Sequence, residues 1–292
     1  MQQSFRPTSP ARLAVLVHFA ALALILAVLI PRPARAEMPF APGERLTYDI
    51  YWTFVHAGEA SMEMLADTTL DGVPARHFRA FARTTPFVDN FYKVRDQIDS
   101  WTDMDLTRTL RYRFRQHEGH YEKDALVVFD WTLARSRRYT GNTFQHELFH
   151  WPPKAYDPFV VAYAFRLEPL HPDYRFDQPV TDGKKRVEGT AHVVGRERVK
   201  TALGEFDCYK VVPDLADVGG VFRKSPGASI EVWVTADERR LPVKIRSKVA
   251  VGHFTLELKR VEQLDAPRNP SPAPGDEPPA DAGDVPANPS GE

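Results

Sequence analysis

The sequence predicts a mainly β fold: a long, curved, half-barrel-like antiparallel sheet wrapping one buried apolar helix. Three observations lead there. Apolar residues recur with period two in successive runs from Leu46 to Leu258, and turn residues punctuate those runs at short intervals. One stretch, Asp157 to Leu167, breaks the rhythm with an apolar residue at almost every position. The frame is a chain of 292 residues, 43% hydrophobic, with a formal net charge of −1. Such a chain has no cationic excess with which to neutralise phosphates, which argues against nucleic acid as a partner. Its single cysteine, Cys208, excludes an internal disulfide framework and any cysteine-built metal centre.

Residues 1–36 read as a signal peptide. Arg6 and Arg12 give a positive start, and Leu13 to Ile30 form an apolar run of 18 residues broken only by His18. Pro31 ends the run, and Ala34-Arg35-Ala36 supplies the small-x-small pattern of a cleavage site. The expected location is the periplasm. The alternative is an uncleaved inner-membrane anchor, since 18 apolar residues approach the length of a bilayer span. At the other end, residues 266–292 carry 8 prolines and five acids with almost no bulky apolar side chain. That composition cannot bury enough surface to offset its ordering entropy, so a disordered tail is expected.

Residues 37–265 carry the β pattern of one domain. Leu46, Tyr48, Ile50, Trp52 and Phe54 alternate with polar residues, as do Leu110, Tyr112 and Phe114. The same holds for Ile230, Val232 and Val234, for Val243, Ile245 and Val249, and for Phe254, Leu256 and Leu258. Side chains on a strand point to opposite faces in turn, so each run is a strand with one dry and one wet face. Ala57-Gly58, Asp71-Gly72, Asp182-Gly183, Leu203-Gly204 and Asp237-Glu238 are the expected turns. Cys208, inside the run Phe206 to Val212, reads as core.

Asp157 to Leu167 opens with Asp at an N-cap and Pro158 at the first helical position, and it stops before Pro169. Its residues are apolar nearly all round, which predicts a buried helix in the concavity of the sheet. Phe159, Val161, Tyr163 and Phe165 of this helix, together with Trp52 on the first strand, are the candidate ligand-binding residues.

Several segments follow one another in an order that resembles a family. Gly43 to Asp49 precedes Ala57-Gly58-Glu59-Ala60; then come Asp157-Pro158 and Asp182-Gly183-Lys184-Lys185. Leu203 to Val211, Val232 to Asp237 and Arg239 to Val243 complete the series. The chain thus resembles the secreted bacterial domain-of-unknown-function family numbered 3108, over about Ala41 to Glu262. The resemblance implies an exported domain and carries no assigned activity. It marks Gly58 and Gly204 as turn positions and Asp157 as a helix cap.

One motif carries chemistry. His146-Glu147-Leu148-Phe149-His150 matches H-E-x-x-H, in which two histidines one helical turn apart hold zinc and the glutamate activates its water. The pattern requires a helix, yet Gly141-Asn142 precede it and Trp151-Pro152-Pro153 cut it off. On a strand, His146 and His150 would stand about 13 Å apart, too far to share one ion. Glu168 or His171 would have to be the third ligand. His117 and His120, with Glu118 and Glu122, flank Gly119 in an expected hairpin tip. Arg111, Arg113 and Arg115 form a basic row on one strand face, and Arg135, Arg137 and Arg138 lie in a later strand. These rows are candidates for an acidic partner or anionic headgroups. No Ser-His-Asp arrangement, phosphate-cradling glycine loop or dinucleotide fingerprint is present, and no cofactor is expected.

The expected function is therefore non-enzymatic: an exported envelope protein that binds a lipid, a lipoprotein or a partner chain in the concave face of its sheet. The alternative is a zinc-dependent hydrolase built on His146, Glu147 and His150.

Overall fold

The computed structural model describes residues 38–214, 229–248 and 252–265. The expected signal segment 1–36, the tail 266–292 and Val249 lie outside them. The chain runs β1 (Glu44–Trp52), β2 (Val55–Met64), β3 (Thr68–Leu70), β4 (Val73–Thr84), α1 (Pro86–Asp89) and β5 (Arg95–Thr102). It continues through β6 (Thr109–Glu118), β7 (Tyr121–Asp130), β8 (Arg135–Thr140), β9 (Thr143–Phe149) and α2 (Val160–Phe165). Beyond these come β10 (Arg175–Thr181), β11 (Arg186–Thr201), β12 (Gly204–Pro213), β13 (Ser229–Thr235), β14 (Pro242–Lys248) and β15 (His253–Gln263).

The strands form one antiparallel sheet in the order β10-β11-β12-β13-β14-β15-β1-β2-β4-β5-β6-β7-β8-β9, with β3 paired to β4. The sheet is mainly a meander: nearly every strand lies beside its predecessor, and the first strand closes onto the last. It stays open, with β9 and β10 at its edges. It nevertheless curls, because the β10–β11 turn rests on β7 and β8. A Cβ at Gly183 would stand 2.6 Å from Val127 Cγ2, and the Arg138 guanidinium donates to the Asp182 carbonyl. Ala155 and Tyr156 clasp the curl. The Thr109 amide donates to the Ala155 carbonyl, the Tyr156 amide to Pro179 and the Thr181 amide to Tyr156, each at 2.9 Å.

The helix differs from its expectation. It spans six residues rather than eleven, and it is not apolar to its surroundings on every side. Val160, Tyr163, Ala164 and Phe165 are buried, Val161 is half-buried and Ala162 is exposed. Asp157 still caps it from two residues outside, where its Oδ1 accepts the amides of Phe159 and Val160 at 2.9 Å each. At the other end Arg166 is buried and donates to both Glu44 oxygens, at 2.6 and 3.1 Å. Its guanidinium also lies over the ring of Phe40, at 4.6 Å.

Gly58 also corrects the sequence reading, for it sits inside β2 rather than at a turn. The β1–β2 register shifts between Ile50 and Tyr51, and a Cβ on Gly58 would fall 2.3 Å from the Arg83 carbonyl oxygen. Glycine is required there by close approach of two strands.

The outer face of β4–β6 is a lattice of charges over Asp99. His77 Nε2 lies 2.8 Å from Asp99 Oδ1, Arg79 Nε donates to the same oxygen at 2.7 Å, and Arg115 reaches Oδ2 at 3.2 Å. Burial alone would raise the Asp99 pKa, but the His77 hydrogen bond and the Arg79 charge hold it at about 2. The folded protein therefore binds that proton less tightly than the unfolded chain, whose carboxyl titrates near 3.9. This stabilisation is present above pH ~4 and is lost as the pH falls towards 2; its size is on the order of 2 kcal/mol. Asp99→Asn should lower stability at neutral pH and flatten the curve of unfolding free energy against pH between about 4 and 2. An acid limb as steep as that of the wild type would refute the assignment.

Candidate functional site

Pairing register assigns each side chain to a face, and the inner face is the one that carries the α2 segment. One cross-strand row on it runs Met64, Phe78, Ser100, Tyr112, Val127 and Arg138. Every member is buried, because the segment from Ala155 to Phe165 and the β10–β11 turn lie on this row. Tyr163 stacks at a tilt on Phe78, ring centres 4.5 Å apart, and Ser100 donates to Asp157 at 3.1 Å.

The cover stops one row higher. The next row runs Leu46, Met62, Ala80, Ile98, Phe114 and Ala125, and its middle four members are only half-buried. Above it stand Ala60 and Ala82, paired with each other and half-buried as well, and then Ile50 and Leu256. Alanines at 60, 80 and 82 keep the surface low between the taller Met62, Ile98 and Phe114. The result is an apolar trough on the concave side of the sheet, with Trp52 and Phe254 paired at its upper end and partly exposed.

Beyond Ile98, Phe114 and Ala125, the β5–β7 side of the trough turns polar. Lys123 Nζ stands 5.7 Å from the centre of the Phe114 ring, and burial lowers its pKa. Asp96, opposite Ala82, has its pKa pushed up to about 6, by burial first; the His117 amide opposes the shift and the Glu118 carboxylate adds to it. The outer face offers a different kind of hollow. A groove of about 410 Å³ there is bounded by Tyr51, Lys244, Arg246, His253 and Glu257, and Lys244 is already paired with Glu257 at 2.9 Å.

The structure separates the residues singled out from sequence. Phe159, Tyr163 and Phe165 are buried and pack on one another's surroundings: Phe159 meets Tyr163 edge-on at 5.7 Å, and Phe165 meets Phe176 at 5.4 Å. Val161 is half-buried on the same helix. Trp52 stands apart from them at the trough's upper end. The alanines of the floor escape periodicity analysis because alanine reads as neutral in a polar–apolar alternation.

His146, Glu147 and His150 lie on and just after strand β9, so the helix that H-E-x-x-H requires is absent. Glu147 instead accepts from Arg137 at 2.8 Å and from Arg135 at 3.4 Å. His150 adopts a positive φ of 61°, and its carbonyl accepts from Arg186 at 2.8 Å. Among the described residues no group of three or more His, Cys, Asp and Glu side chains is placed to hold a metal ion, and this covers Glu168, His171, His117 and His120. The basic rows are matched internally: Arg111 with Asp71, Arg113 with Asp124, Arg115 with Asp99 and Arg138 with Asp182. Cys208 is fully buried, and burial pushes its thiol up to about 12.

The sequence model of the protein-of-unknown-function family DUF3108 matches residues 47–259. No curated protein matches the chain. A crystal structure similar to it is a beta-barrel-like protein of the domain of unknown function DUF1849 from Brucella abortus. It is 11% identical, with a TM-score of 0.49 over 76% of this chain and 98% of that one. Another is a Bacteroides fragilis protein with a YmcC-like fold, described as exported; it is 12% identical, with a TM-score of 0.36 over 77% and 98%. A Parabacteroides distasonis protein described as a lipoprotein is 9% identical, with a TM-score of 0.31 over 76% and 96%.

Proposed function

We propose, for a chain that belongs to the DUF3108 family, a non-enzymatic role as an exported envelope protein that seats an acyl chain in the trough of its concave face. One observation carries the reading: the inner apolar face is covered along the row of Phe78 and left half-open one row above, at Met62, Ala80, Ile98 and Phe114. Contiguous apolar surface left uncovered on a soluble domain marks an interaction site. A trough with small residues on its floor and charge on one flank orients a ligand whose tail is apolar and whose head is polar. Export rests on the apolar N-terminal run and the Ala34-Arg35-Ala36 pattern.

Filling the trough tests the proposal. Ala82→Trp places an indole where the acyl chain would lie, beside Ala60 and Asp96. A fluorescent fatty-acid analogue should bind the wild-type chain, and the variant should bind it at least tenfold more weakly, a loss of about 1.4 kcal/mol. The melting curve should move little, because the position is half open and can accommodate added volume. Undiminished binding by a folded Ala82→Trp variant would remove the trough as the site.

A further inference from the structure

Because neighbouring strands are antiparallel, the β1–β2, β4–β5 and β6–β7 connections gather on one rim of the sheet. That rim is unusually aromatic. Phe54 is 86% exposed, Phe91 77% and Phe87 65%, and Tyr92 and Tyr121 are more than half exposed. Helix α1, which carries Phe87, buries none of its residues.

The exposure is built in. Thr85 Oγ1 accepts the Val88 amide, and Arg95 donates to Asp89 at 2.6 Å. Tyr92 donates to Glu118 at 3.3 Å, and the Gly119 amide donates to the Lys93 carbonyl at 2.7 Å, tying this loop to the β6–β7 turn. Phe87 and Phe91 meet edge-on at 5.6 Å. The rings are thus held out in water by a braced loop rather than folded back on the sheet. Arg95 neutralises Asp89 and Lys93 is the cation beside the rings, while Glu118, bonded to Tyr92, and Glu122, paired with His117, are the acids of the adjoining turn.

We propose that this rim docks the protein on an anionic bilayer surface, with Phe54, Phe87 and Phe91 in the boundary between headgroups and acyl chains and Lys93 among the headgroups. Aromatic rings with adjacent cations have this preference at a membrane surface. The docking surface lies outside the trough and stands independently of it. If both readings hold, the trough's upper end faces the lipid.

A fluorophore placed on each rim tests this in the full chain, since Cys208 is buried and labelling is confined to an introduced cysteine. Phe91→Cys and, on the opposite rim, Leu203→Cys are each labelled with an environment-sensitive dye. They are then mixed with phosphatidylcholine vesicles with and without phosphatidylglycerol. At position 91 the emission should shift to the blue, rise about twofold or more and be quenched by nitroxide-labelled acyl chains when phosphatidylglycerol is present. At position 203 it should not change. Lys93→Glu, in the Phe91→Cys background, should weaken vesicle binding roughly tenfold at low salt and less at high salt. No response at 91, or equal responses at 91 and 203, would overturn the proposal. So would a rim that drives self-association abolished by Phe54→Ser with Phe87→Ser, for it would then be an interface between copies. That double variant should bind the fatty-acid analogue in solution as the wild type does, so failure of the trough and failure of the rim are read separately.

Discussion

Replacing Glu44 by Leu should destabilise the fold by roughly 3–5 kcal/mol, the range expected when one member of a buried ion pair is removed. Arg166 would be left almost wholly buried with its charge uncompensated. Its other hydrogen bonds go to the carbonyls of Arg239, at 3.1 Å, and Pro39, at 3.4 Å, and neutral acceptors do not replace a carboxylate. The informative comparison is the double variant Glu44→Leu with Arg166→Met, which removes both charges and should recover much of the loss. Urea unfolding of the three proteins settles the matter. A double variant no more stable than Glu44→Leu would mean that Arg166 acts through packing against Phe40 and Tyr163 rather than through its charge.

Asp157→Ala should cost about 2–4 kcal/mol, from loss of a helix cap and of several buried hydrogen bonds at once. The carboxyl accepts the amides of Phe159 and Val160, the Ser100 hydroxyl at 3.1 Å and the Thr109 hydroxyl at 2.8 Å. Alanine leaves these donors without an acceptor in a site that excludes water. Asp157→Asn should be far milder, within about 1 kcal/mol at neutral pH. Burial raises the carboxyl's pKa although all four hydrogen bonds pull it down, so the ionised form is partly disfavoured in the folded state. A raised native pKa contributes stability below the unfolded pKa and loses it as the pH rises, and a neutral amide avoids that loss. Equal damage from Ala and Asn, measured by thermal or urea unfolding, would show that charge rather than hydrogen bonding is what Asp157 supplies.

Strand existence was legible in the sequence because burial on one face imprints period two. The runs around Tyr48, Tyr112, Val232, Ile245 and Leu256 became β1, β6, β13, β14 and β15. The single antiparallel sheet follows from short turns, and the Asp157 cap from its residue type. What stayed hidden depends on pairing across the chain. Gly58, an expected turn, became a point of close approach between β2 and Arg83 of β4. The helix covers six residues and turns Ala162 to solvent, which a string of apolar letters does not reveal. The trough was invisible because its floor is alanine and because its openness depends on how far the segment after Ala155 reaches over the sheet. The pairing of Arg166 with Glu44, 122 residues earlier, is likewise made by the fold and leaves no local mark in the sequence.

The two-residue clasp at Ala155 and Tyr156 has a kinetic consequence. It joins β6 to β10, and its partners cannot meet until both arms of the meander exist and have curled. Loop closure of that kind comes late in folding, after the local hairpins have formed. The clasp is also small: three backbone hydrogen bonds and one from the Tyr156 hydroxyl to the Leu106 carbonyl at 3.2 Å, each worth about 1 kcal/mol net. It can therefore open while the hairpins on either side remain paired, a sub-global fluctuation well below the free energy of complete unfolding. Amides of Thr109, Tyr156 and Thr181 would then exchange with solvent sooner than those in the centre of β1 and β15. The same breathing would loosen the segment that ends the trough while leaving the sheet intact.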